Sequence, residues 1–135
     1  MVQIIAGVFL VLHGLVHLLY LGQSARLFEL QPGMIWPDGS WAFSKLFVDT
    51  GTRTLTSIFC VLAAAGFVIG GVGIFFGQSW WRTAVIASAV FSGVLYILFW
   101  NGRLQHLDNQ GGIAILINIA LLVTVLMFRW PQFNF

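Results

Sequence analysis

The chain predicts an all-α, integral membrane four-helix bundle with both termini on one side and a long first interhelical connection carrying an interfacial aromatic segment. Two observations predict it. Of the 135 residues, 59% are hydrophobic and 7% charged, whereas a soluble domain carries about 25% charge to solvate its surface. The six basic and four acidic residues all fall outside four apolar runs, each near the roughly 20 helical residues that cross a hydrocarbon core.

The runs cover residues 2–22, 54–77, 83–100 and 112–128 of one membrane domain, 1–135. A segment in lipid must satisfy its own backbone, so each is read as a helix. The first lacks a basic leader and a small-residue cleavage site, which marks a retained helix rather than a signal peptide. Its Gln3, Ala6, Gly7, His13, Gly14, His17, Tyr20 and Ser24 share one side at about 100° per residue. The second stacks Gly66, Gly70, Gly73 and Gly77, the third groups Ser88, Ala89, Ser92, Gly93 and Tyr96, and the fourth places Gly111, Ala114 and Asn118 together. Lipid supplies no hydrophobic drive between helices, so small residues and hydrogen bonds must join them. The glycine face is expected to pack against protein, within the bundle or at a dimer seam.

The connection reads QPGMIWPDGSWAFSKLF over residues 31–47. Pro32–Gly33 and Pro37–Asp38–Gly39 are turn chemistry. Trp36, Trp41, Phe43 and Phe47 are too apolar for a free linker, so the segment is an interfacial anchor or a lid over a pocket. Asp38 or Ser40 is expected to cap a short helix through Lys45. Four of the six basic residues lie on this side with all four acids, and counting Lys and Arg places these loops in the cytoplasm.

His13 and His17 are the two histidines within the runs, one helical turn apart. Intramembrane groups of this kind are functional candidates. Asn118 enters from the loop side to a similar depth, about 10 Å at helical rise. Tyr20, Tyr96 and Thr56 stand nearer that mouth, with His106, Asp108, Asp38 and Glu29 around it. The candidate ligand-binding set is therefore His13, His17, Tyr20, Tyr96 and Asn118, and the candidate metal set is His13, His17 and His106. The histidines can equally serve as packing glue through interhelical hydrogen bonds.

Three functions remain open: binding or transfer of a small amphipathic or redox molecule, an accessory subunit of a larger membrane complex, and a metal- or haem-dependent membrane enzyme. Haem needs imidazoles on opposite faces of the macrocycle, and the other helix interiors hold no histidine. No particular cofactor follows from the residues. Cys60, the single cysteine, excludes an internal disulfide and has no evident base to activate it. A net charge of +2 gives nucleic acid no basic surface. The expected partners are the lipid bilayer and either a second copy or a larger membrane complex.

The run His13-Gly14-Leu15-Val16-His17-Leu18 resembles the opening helix of a group of small four-helix bacterial membrane proteins of unassigned activity. Their last helix opens on a Gly-x-x-x-Asn-like pattern, where this chain spaces Gly112 and Asn118 more widely. The resemblance covers the pattern of the whole chain, with one six-residue motif specific to it. It implies the four-helix architecture and a bacterial inner membrane, and no reaction.

Overall fold

The computed structural model describes residues 1–105 and 107–135. Three long helices, α1 (Val2–Ser24), α2 (Asp49–Phe75) and α3 (Trp81–Leu98), are apolar and long enough to cross a membrane. A 3-10 turn at Leu107–Gln110 leads into α4 (Gly112–Leu122). The four helices pack as an all-α bundle, with no strand among the described residues. Residues 1–3 and 130–135 lie together at one end, and both long loops occupy the other.

Apolar side chains cover the outside of the helices as well as the core, and several polar ones are buried. Ile4, Leu12, Ile69, Ile97 and Leu116 are exposed, whereas His13, His17, Thr56, Ser92 and Asn118 are buried. Apolar surface left outward across three spanning-length helices suits contact with acyl chains, and these buried polar side chains find partners inside.

Helices approach where glycine permits it. A Cβ on Gly14 would meet the Ala64 carbonyl oxygen at 2.9 Å, and one on Gly71 would meet the Gly7 carbonyl oxygen at 2.8 Å. These contacts seat α1 on α2. The expected glycine face of α2 packs on protein: Gly70 faces Val85 and Gly73 faces Trp80 and Trp81 of the α3 end. Val68, a side chain on another part of α2, packs near Gly14 of α1 and is half-buried.

The turn between α2 and α3 follows from Gly77. At φ +64° it closes α2 with paired bonds, Gly77 N–H to the Ile74 carbonyl and Gln78 N–H to the Gly73 carbonyl. The same bond pattern ends α1, yet there Arg26 occupies the left-handed position at φ +58°. That conformation costs a non-glycine residue about 1–3 kcal/mol when nothing holds it. Here the Arg26 guanidinium bonds the Ile35 carbonyl at 2.8 Å and Asp38 Oδ2 at 2.7 Å. The strain at the helix end is offset by fastening the loop.

Residues 41–46 form turns rather than the expected helix. Ser40 does receive the Phe43 N–H on its hydroxyl, as a capping residue would. Its O–H, however, donates to the Leu98 carbonyl at 2.6 Å, and the Trp41 indole donates to the Ile97 carbonyl at 2.6 Å. The loop thus satisfies carbonyls that α3 leaves open at its end. Trp36 and Met34 sink into the core beside Tyr20, Cys60 and Tyr96, while Trp41 and Phe47 stay exposed. One half of the segment is thus packed into the bundle and the other left on its surface.

The fourth run is less regular than its composition suggests. Its α-helix has 11 residues and continues as a five-residue π-helical turn, Val123–Met127. Together they rise about 24 Å, short of the roughly 30 Å hydrocarbon core. The Thr124 hydroxyl bonds the Ala120 carbonyl at 2.7 Å, competing with the backbone ladder. Phe128 N–H then reaches back to the Val123 carbonyl, and the element ends at Arg129, left-handed at φ +48°, with Trp130 N–H bonded to the Thr124 carbonyl.

Candidate functional site

Both histidines of α1 point into the bundle. His17 is fully buried and His13 nearly so. The geometry of their bonds determines where each proton sits. A carbonyl can only accept, so the 3.1 Å bond between His17 Nδ1 and the His13 carbonyl puts hydrogen on Nδ1. With the ring neutral, His17 Nε2 accepts from the Ser92 hydroxyl at 2.7 Å. Ser92 Oγ in turn accepts from Asn118 Nδ2 at 2.8 Å. The Asn118 Oδ1 left over accepts from His13 Nε2–H at 3.0 Å. Four bonds close a ring, from His13 through Asn118, Ser92 and His17 back to the His13 backbone.

The ring joins α1, α3 and α4 at one depth. Ser92 stands on the small-residue face of α3 because Gly66 of α2, Ser88 and Ala89 keep that interface narrow. Phe67 of α2 closes the remaining side, its ring 4.6 Å from His13 and 5.5 Å from His17. Buried polar groups in such a network are costly singly and stable together.

Tyr96 lies beside the ring rather than in it. Its aromatic face is 5.7 Å from His17 and 5.0 Å from Tyr20, and its hydroxyl has no partner among the described residues. Gly111 at φ +97° is required here, since a Cβ would fall 2.1 Å from the Tyr96 ring. His106 lies outside the described residues, so the three-histidine set is not assembled among them. The described residues hold no cluster of three His, Cys, Asp or Glu side chains. Both ring nitrogens of His17 are already engaged. A metal ion could use this imidazole only by displacing Ser92 or turning the ring.

A groove runs between α1 and α4, which stand apart while α1 packs on α2, α2 on α3 and α3 on α4. Toward the loops it widens into a cavity of about 310 Å³ walled by His13, Tyr20, Met34, Asp108, Ala114 and Ile117. Toward the termini it opens into one of about 470 Å³ walled by Phe9, Leu10, Val85, Ile117, Thr124 and Trp130. Ile117 borders both. Phe9, stacked parallel to His13 with centroids 6.0 Å apart, marks the partition on α1. Of the five expected ligand-binding residues, His13 and Tyr20 face this groove, while His17, Tyr96 and Asn118 stand behind it.

Sequence reasoning passed over Gln23 and gave Asp38 another role, yet both organise the loop side. Gln23 is fully buried; its amide nitrogen bonds the Met34 carbonyl at 2.9 Å and its oxygen receives Leu30 N–H at 2.9 Å. A glutamine in the last turn of an apolar helix was the available signal. Asp38 pairs with Arg26 and Arg53, so it latches the lid instead of lining the mouth. Burial pushes its carboxyl up, yet the Arg53 and Arg26 guanidiniums outweigh this and hold it below the usual carboxylate value. Compared with known proteins, the chain matches no family model, no curated protein and no solved structure.

Proposed function

We propose that this is a multi-pass membrane protein that binds a small single-chain amphiphile in the α1–α4 groove. The observation that carries the reading is the pairing of two cavities along one seam: a polar one at loop level and a larger, nearly all-apolar one beyond it. Their volumes fall within the roughly 300–1,000 Å³ range of small-molecule sites. The sequence of environments matches a headgroup near Tyr20 and Asp108 and a tail passing Ile117 toward Thr124 and Trp130. The resemblance of the opening helix points to a bacterial inner membrane as the setting. The hydrogen-bonded ring supports the site by holding His13, its wall residue, in one orientation.

A photoreactive C18 chain amphiphile, incorporated into vesicles with the protein, tests the reading. Crosslinks are expected on the α1 and α4 peptides that contain Phe9 and Ile117. Ile117→Trp fills the border of both cavities and should reduce labelling at least tenfold. Leu116→Trp, on an exposed face, should leave it unchanged. Labelling spread evenly over all outward faces would show bulk lipid contact and sink the proposal.

A further inference from the structure

The polar cavity has an electrical character that narrows its ligand, given the groove-binding reading above. No lysine or arginine lines it among the described residues. Arg26 and Arg53 pair with Asp38, and Arg103 lines a separate cavity beside Trp36 and Gln110. Among the described residues, the charged group on its wall is Asp108. The start of α4 carries the positive end of a helix dipole, equivalent to about half a charge. Asp108, in the turn just before that helix, more than offsets it.

The hydrogen-bonding character points the same way. His13 has spent its N–H on Asn118, and in the neutral ring Nδ1 keeps only a lone pair. Nδ1 has no partner among the described residues. The Asp108 carboxylate also only accepts when ionised. A headgroup entering here therefore meets these acceptors and a negative charge, beside the Tyr20 phenol and the Gln31 amide, which both donate and accept. Phosphate and carboxylate bring more acceptors and more negative charge.

We infer that the cavity takes a headgroup that donates hydrogen bonds and carries no negative charge, a hydroxyl on a long-chain alcohol, glyceride or hydroquinone being the class that fits. Tyr20, whose phenol both donates and accepts, is placed on the same wall to bond the oxygen of such a hydroxyl. An amine satisfies the same acceptors through its N–H groups and is distinguished by its dependence on Asp108.

The experiment measures binding of four C18 probes to the detergent-purified protein: monoolein, oleylamine, oleate and lysophosphatidate of the same chain. Monoolein is expected to bind at least tenfold more tightly than lysophosphatidate at neutral pH. Asp108→Asn should strengthen lysophosphatidate several-fold, weaken oleylamine, and leave monoolein within about twofold. Equal or tighter binding of lysophosphatidate to the unaltered protein would overturn the headgroup assignment while leaving the groove in place. Failure of all four probes to bind would overturn the groove reading itself.

Discussion

His13 Nε2–H donates to Asn118 Oδ1 across 3.0 Å, tying the first helix to the fourth where the two otherwise stand apart. The bond is the near side of the polar ring and the back wall of the groove. Its removal should therefore be felt both in the stability of the bundle and in the shape of the cavity.

Asn118→Leu leaves the His13 N–H and one acceptor site of Ser92 without partners. An orphaned buried group costs about 1–3 kcal/mol, while interhelical bonds in membranes average about 0.6 kcal/mol. The expected loss lies between these, about 1 kcal/mol in a detergent unfolding titration. His13→Phe combined with Asn118→Leu should recover part of it, because neither partner is left behind. Strict additivity of the two single effects would disprove the coupling.

The two histidines should hold their protons on opposite nitrogens. Imidazole 15N spectra of the protein near neutral pH are expected to give an Nδ1–H signal for His17 and an Nε2–H signal for His13, assigned with His17→Phe. Finding the same tautomer at both would break the ring as drawn. Ser92→Ala should shift the His17 signals far more than those of His13 Nδ1, since Ser92 is the direct partner of His17.

Gly70→Leu should destabilise the bundle by about 1–3 kcal/mol through overpacking, because even a Cβ there would approach Val85 Cγ2 to 2.8 Å. Ile69→Leu on the neighbouring exposed position should stay within about 0.5 kcal/mol. Equal melting of the two variants would place the glycine face against lipid.

Asp38 makes the lid sensitive to acid. A carboxyl held low in the folded state contributes stability that is present above its unfolded value, about 3.9, and is lost as pH falls through the lower folded value. The readout is thiol labelling at Ser40→Cys in a Cys60→Ala background. Position 40 is fully buried, so labelling reports lid opening. It should rise only below about pH 4, whereas adding Asp38→Asn should open the lid at pH 7. Indifference to Asp38→Asn would show that the Gln23 bonds to the loop hold the lid without the carboxylate.

The helices were legible because lipid imposes a simple demand: uncharged runs, with small and polar residues gathered on inward stripes. His13, His17, Asn118 and the α2 glycines fall inside for that reason. What escaped the reading depends on distances between segments far apart in sequence. Ser92 was visible as part of a stripe, but its place between two imidazoles is a matter of three helices meeting at one depth. The lid's turns were obscured because Ser40 and Trp41 bond α3 carbonyls more than fifty residues away. The shortness of α4 was hidden by its apolar composition, which says nothing about a threonine hydroxyl drawing a carbonyl out of the ladder.

The sequential packing of the helices, α1 on α2, α2 on α3 and α3 on α4, bears on how the chain is made. Each helix leaving the ribosome meets a neighbour already in the bilayer, so assembly proceeds in the order of synthesis. His17 gains its serine when α3 arrives, but the His13 N–H must wait for residue 118. Until then a three-helix intermediate holds an unpaired donor next to hydrocarbon. The asparagine of the last helix ends that exposure, so its arrival completes the ring.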